Sequence, residues 1–462
     1  MTGWRPRLGA LAGSVVLVLV ATACADQADR NPLSGDVVGV GDGAPLPVGD
    51  PGAVAFAAID DVIAYWERTY PEVYGGDLAP LAGGLHPYGP DTEMPPCGDP
   101  RPSYEEIANN AFYCAGSDLI AWDAARLLPW INEQFGAFTI GIVFAHEYGH
   151  AIQARSGDDG PTIVLELQAD CFAGAWTAEV AAGHSRSFQV DASALDASLA
   201  GLVAISDAPG TSADDPLAHG SGFDRIGSFQ DGFEKGAARC AEYPRTRLPI
   251  VEMPFDPGEE SSRGNLRLDD EGSDAGLLTR LEVDLNAFYD VLFDQLGLNW
   301  RPVDDLVLVD PAIDEVTCGG EQLSGEALRY AAAYCEDENI ALFDRAGLAE
   351  DLYEIGDFAV ASEIARLYAL AAQVQFGLDE GRAASLQADC LTGVWAFSSF
   401  ERADFQPDNL IMSAGDLDEG IMGFLAYDVS TEDTGSVFER TDALRTGFVN
   451  GYRGCEEFAP VG

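Results

Sequence analysis

Lysine is almost missing from this chain of 462 residues: Lys235 stands alone, and Lys and Arg together number 25 against 77 Asp and Glu. The net charge of −52 excludes a protein built to grip nucleic acid or an anionic lipid surface, since both demand clustered positive charge. We read the acidity as a solvated surface and not as a site. Histidine is scarce too. His86, His146, His150, His184 and His219 are the whole set, so any imidazole-based chemistry belongs to the first half of the chain. Long apolar runs are also few. Beyond Leu8 to Val20, none is long enough to span a bilayer.

That one run has a purpose legible from its flanks. Arg5 and Arg7 precede it, and Ala21-Thr22-Ala23-Cys24 follows, similar to a bacterial lipobox. Residues 1–23 are expected to be a secretory signal, with Cys24 as a lipidated anchor holding the protein outside the cytoplasm on the bacterial cell membrane. Residues 24–52, rich in Gly, Pro and Asp, read as a flexible tether. Hydrophobic residues make up 47% of the chain, which rules out a wholly disordered protein, and the length predicts two domains.

Those domains are written as two versions of one pattern. The interval between Cys97 and Cys114 equals that between Cys318 and Cys335, and each second Cys follows a Tyr. Leu167-Gln168-Ala169-Asp170-Cys171 recurs as Leu386-Gln387-Ala388-Asp389-Cys390; Trp176 matches Trp395, and Gly232-Phe233 matches Gly447-Phe448. The expected division is therefore 53–243 and 280–458, with 244–279 as linker, each half α+β and helix-dominated: a tandem duplication. Nine Cys are present; with Cys24 set aside, the even remainder in an exported chain predicts four disulfides. Loop-closure cost favours Cys97–Cys114 and Cys318–Cys335, leaving Cys171–Cys240 and Cys390–Cys455. Phe138 to Arg155 reads as a helix. Pro161 reads as the first residue of the next helix, which stops near Gly183. Ile120-Ala121-Trp122 and Ile340-Ala341-Leu342 read as edge strands.

The chemistry centres on His146-Glu147-Tyr148-Gly149-His150. Two imidazoles four apart share a helix face and can reach one metal ion, while Glu147 projects beside them as a base for an attacking water. A catalytic zinc needs a third protein ligand. Glu166, on the next helix, is the expected one, with Asp170 one turn further as the acceptor that fixes a ligand His, although those two roles could be exchanged. His219 is a candidate for stabilising an oxyanion. His86, in an expected loop, and His184, at a helix end, are read as structural, as are Tyr113, Tyr148 and the paired Trp176 and Trp395.

The string His146-Glu147-x-Gly149-His150-x-x-Gln153, then Glu166-Leu167-Gln168-Ala169-Asp170-Cys171-Phe172-Ala173-Gly174-x-Trp176, resembles the neutral zinc metallopeptidase family, as do Phe112-Tyr113-Cys114 and His219-Gly220-Ser221. The resemblance covers most of 53–243. It implies a zincin-like domain with one Zn2+ held by two His and one Glu, acting on a peptide or protein substrate. A non-catalytic cell-surface binding or scaffold lipoprotein is the rival reading. In the second half, alignment puts Arg366, Leu367 and Leu370 at the places of His146, Glu147 and His150, Ser385 at that of Glu166, and Thr434 at that of His219. The second copy is thus expected to be degenerate and metal-free.

Overall fold

A computed structural model describes residues 50–215, 218–252, 266–268, 276–378, 381–402, 410–427 and 434–458. The expected signal, Cys24 and nearly all of the tether lie outside them. The first half runs α1 (Pro51–Val73), β1 (Gly84–Tyr88), α2 (Tyr104–Ile107), β2 (Ala111–Cys114), β3 (Leu119–Asp123), α3 (Leu127–Phe135), α4 (Ala137–Ser156), α5 (Thr162–Ala181), α6 (Ala192–Ala204), α7 (Gly222–Lys235) and α8 (Ala237–Cys240). The second runs α9 (Leu277–Gln295), β4 (Asp305–Val309), β5 (Glu315–Cys318), β6 (Glu321–Ser324), β7 (Ala332–Cys335), β8 (Ile340–Asp344), α10 (Leu348–Tyr353), α11 (Asp357–Phe376), α12 (Arg382–Phe400), α13 (Asp416–Ala426), α14 (Val437–Asn450) and α15 (Tyr452–Cys455). The class is α+β with helices predominating, as expected.

Each half opens with a long helix and then builds a small sheet. The strand orders are β1-β3-β2 and β4-β8-β7, with the first pair parallel and the second antiparallel in each. Ile120 and Ile340 therefore lie in the central strands, not at edges. Strand β3 is buried along its whole length, as a continuous apolar run flanked on both sides should be. The hairpin β5–β6 has no strand counterpart among the described residues of the first half.

Helices α4 and α11 are the pillars. Both span twenty residues and both end at a left-handed glycine, Gly157 at φ 72° and Gly377 at φ 71°. Each is apolar nearly all round and buried on most faces. Helix α5 begins one residue later than expected, with Pro161 as its cap. It lies unusually close to α7. A Cβ on Gly174 would sit 1.8 Å from the Phe229 carbonyl oxygen, and one on Gly232 would sit 1.8 Å from that of Cys171. Gly393 and Gly447 play the same part between α12 and α14, at 1.9 and 1.8 Å. These contacts account for the recurring Gly-Phe pairs.

All four disulfides form with the expected pairing: Cys97–Cys114, Cys171–Cys240, Cys318–Cys335 and Cys390–Cys455. They place the chain in an oxidising, extracytoplasmic compartment. Among the described residues no helix is long and apolar enough to cross a membrane. Trp176 and Trp395 are buried, donating to Asp61 and Asp284 at 3.1 and 2.7 Å on the opening helices.

The halves share one continuous hydrophobic core. They also cap each other. Asp418 of α13 accepts from the backbone N–H groups of Gly222 and Phe223 at 2.9 and 2.7 Å, at the start of α7. Asp196 of α6 accepts from Phe438 N–H at 2.9 Å, at the start of α14. The described parts of the stretch expected as linker also pack down, with Leu248, Ile250, Val251 and Leu266 against the core.

Candidate metal centre

Helix α4 presents His146 and His150 on one face, and α5 brings Glu166 opposite them. The helices approach closely because Gly149 faces Ala169, where a Cβ would meet the Ala169 Cα at 3.0 Å. The three side chains converge: His146 Nε2 to His150 Nε2 is 3.2 Å, His146 Nε2 to Glu166 Oε2 is 3.3 Å, and His150 Nε2 to Glu166 Oε1 is 3.5 Å. A tetrahedral ion about 2.0–2.1 Å from each donor would set those atoms about 3.3–3.4 Å apart. Glu166 Oε2 is buried and accepts no hydrogen bond of acceptable geometry, as a carboxylate oxygen reserved for a cation would be. The residues present therefore fit a zinc ion.

The outer nitrogens are held. His146 Nδ1 lies 2.7 Å from Asp170 Oδ1, and His150 Nδ1 lies 2.9 Å from Gln153 Oε1. Gln153 Nε2 in turn donates to the Leu165 carbonyl at 2.6 Å, which fixes its amide orientation. Asp170 also accepts from Arg225 Nε and Nη2 at 2.8 and 2.9 Å, a fully buried bidentate pair made possible by the close α5–α7 packing. Such outer partners hold the inner nitrogens of both rings toward a common point.

Charge follows from this arrangement. Burial opposes a charge on His146, but Asp170 and Glu166 outweigh it and lift the imidazole to about 10. Burial likewise opposes ionised Glu166, yet His150 and His146 hold its carboxyl well below the usual range. A proton-loaded cluster of this kind can exchange its protons for a divalent cation. Glu147 is different. Burial pushes its carboxyl up, only partly offset by the two imidazoles, and its Oε2 accepts from the Tyr113 backbone N–H at 2.8 Å.

The cluster opens into a cavity of about 580 Å3. Its polar side carries His146, Glu147, His150, Glu166, His219 and Arg225; its apolar side carries Leu127, Ile131, Ile142, Val143, Leu202 and Ile205. His219 thus shares the cavity with His146, His150 and Glu166, its Nδ1 3.3 Å from Asp207 Oδ1. The other histidines do not. His86 lies on β1, not in a loop, bonded to the Gly83 carbonyl at 2.9 Å, and His184 lies exposed beside Glu179 at 3.1 Å. Tyr148 is buried in the core.

Sequence reasoning left Arg225, Asp207 and the Tyr113 N–H unassigned, and quoted Gln153 without a role. The repeat contained the signal for Arg225: Phe223-Asp224-Arg225 is echoed by Phe438-Glu439-Arg440. Asp207 has no such echo, and a backbone N–H leaves no mark in sequence.

No protein-family model matches the chain. No solved structure matches it either. Two curated proteins are similar, each called "Uncharacterized protein YpfJ", from Escherichia coli K12 and Escherichia coli O6:H1. Each is 28% identical over 163 residues, covering 29% of this chain and 54% of the relative. The chain thus spans about half the length of the curated relatives it matches.

Proposed function

We propose that the chain is an extracytoplasmic zinc metallopeptidase of the neutral zinc metallopeptidase type, anchored to the membrane through Cys24. In this reading the active unit is a zincin-like domain at 53–243. The unit at 280–458 arose by tandem duplication and lost its metal. The observation that carries the proposal is the convergence of His146, His150 and Glu166 at tetrahedral spacing beside Glu147, at the wall of an open cavity.

His146, His150 and Glu166 would hold zinc. When bound, zinc would supply Lewis acidity toward a peptide carbonyl and an attacking water. Glu147 takes the proton from that water and passes it to the leaving amine. Its tether to the Tyr113 N–H keeps the carboxylate oriented during both transfers. Asp207 accepts from Nδ1–H of His219 and orients its ring, which in the doubly protonated form can donate through Nε2 to the developing oxyanion. Substrate recognition follows from the walls. Strand β2 is a sheet edge lining the cavity, suited to an extended peptide backbone. The apolar side suits a bulky hydrophobic side chain of that peptide.

The test is a peptide-library digest by the mature chain, with and without a zinc chelator. Chelator-sensitive cleavage next to hydrophobic residues is expected. A zinc-loaded protein that cuts no peptide or protein would remove this reading in favour of a binding role.

A further inference from the structure

The second half carries a different cluster of ligating side chains, away from the place of the lost zinc site. Asp357 opens α11, and Asp416 and Glu419 lie in the first turn of α13. One carboxylate oxygen from each lies within 4.8 Å of the others. Asp357 and Asp416 are 5% and 3% exposed. Each carboxylate is held in place by backbone. Asp357 Oδ2 accepts from Leu266 N–H at 2.7 Å, Glu419 Oε2 from Phe358 N–H at 3.1 Å, and Asp416 Oδ2 from Ser413 N–H at 2.7 Å. Asp357 Oδ1 is buried and accepts no hydrogen bond of acceptable geometry, with the Glu419 carboxyl beside the Asp357 side chain. A buried carboxylate oxygen among like charges is costly unless a shared proton or a cation completes the group.

Comparison with the first half shows that the fold does not ask for these acids. Helices α4 and α11 have equal length, so Ala137 stands where Asp357 does. Helices α6 and α13 are brought into register by their contacts. A Cβ on Gly201 would meet Thr139, and one on Gly423 would meet Ala359, the equivalent residue of α11. That register places Ala194 and Ala197 at the positions of Asp416 and Glu419. Three alanines in one half thus face three acids in the other. Room has been made for them as well. A Cβ on Gly356 would fall 1.9 Å from Glu419 Cδ, whereas one on the equivalent Gly136 would meet nothing within 4 Å.

We propose that Asp357, Asp416 and Glu419 form a binding site for a hard divalent cation of the calcium class. An all-oxygen carboxylate set suits calcium, which takes six to eight oxygen ligands at about 2.3–2.6 Å, and suits zinc poorly. Water would complete the shell. The ion ties the Leu266 segment, α11 and α13 together. Helix α13 is also the helix whose Asp418 caps α7, so the ion secures one of the elements through which the second half touches the first. This site does not depend on peptidase activity.

The experiment uses the full mature chain, freed of calcium and with its zinc content monitored throughout. Calcium chloride is titrated by calorimetry, and thermal unfolding is followed with and without calcium. One equivalent should bind, raising Tm by about 3 °C at a hundredfold excess over Kd. The triple variant D357A/D416A/E419A, which installs the first half's residues, should lose both the heat and the Tm shift while keeping its zinc. Because the wild-type titration stands alone, the test survives a variant that fails to fold. No calcium heat and no Tm shift at millimolar calcium would overturn the proposal and leave carboxyls that share protons. Unaltered binding by a folded triple variant would overturn it equally.

Discussion

At the same turn of the same helix, one half of the molecule places His146 and the other Arg366. Both reach the aspartate beneath them: His146 Nδ1 lies 2.7 Å from Asp170, and Arg366 Nε lies 2.8 Å from Asp389. Both aspartates are also gripped by an arginine from the facing helix, Arg225 or Arg440. The buried aspartate is therefore constant, and what changes is the group that answers it. In the first half it is an imidazole whose second nitrogen points to Glu166. In the second it is a guanidinium whose Nη2 donates to Ser385 at 2.6 Å, where Glu166 would be. Glu363, one turn earlier, lies 3.6 Å from Arg440 and balances the added charge. A guanidinium in that place leaves neither the lone pairs nor the room that a metal ion needs. The two halves thus separate scaffold from the proposed chemistry: disulfides, tryptophan anchors, glycine contacts and the Asp–Arg pair occur in both, and His146, Glu147, His150 and Glu166 in the first alone.

The largest effect that would break this comparison comes from the proposed base. Glu147→Gln should cut peptide turnover by about 100- to 10,000-fold while zinc stays bound. Leu367→Gln, at the equivalent place in the second half, should leave turnover within experimental error. Equal losses in the two variants would show that both halves catalyse.

Removing a scaffold element should instead affect stability in both halves alike. Replacing Cys171 and Cys240 by Ser, or Cys390 and Cys455 by Ser, should each cost about 2–5 kcal/mol in chemical denaturation. A loss confined to one pair would mean that the two long-range disulfides are not equivalent.

A smaller effect sharpens how the halves cooperate. Asp418→Ala removes the acceptor for two N–H groups at the start of α7, the helix that carries Arg225. It should cost about 0.5–2 kcal/mol, as lost helix caps do, and lower turnover a few-fold. Asp196→Ala, its mirror at α14, should cost similar stability with turnover unchanged. Unfolding curves and steady-state rates on the same preparations distinguish the two; equal effects on rate would sever the proposed link from α7 to the site.

Much of this was legible in sequence because it rests on spacing. The Cys intervals gave the disulfides, and helical periodicity put His146 and His150 on one face, with Glu166 assigned to the next helix as the third ligand that zinc requires. The strands were harder. Ile120-Ala121-Trp122 was misplaced at an edge because its parallel partner, β1, comes from a segment beginning Gly84-Leu85-His86-Pro87, whose Gly and Pro resemble a loop. The same segment misplaced His86. The cross-caps were hidden for another reason: Asp196 and Asp418 are ordinary surface acids until the halves are packed together. Asp357, Asp416 and Glu419 were lost in a chain with 77 acidic residues, where only burial singles them out.

The central claim is that one half, and one only, holds zinc. Zinc content of the full chain, purified from an oxidising compartment and measured by elemental analysis against protein concentration, tests it most directly. One equivalent per chain is predicted, falling to none in His150→Ala and remaining one in Leu370→Ala. Two equivalents, none, or a single equivalent that survives His150→Ala would contradict the account.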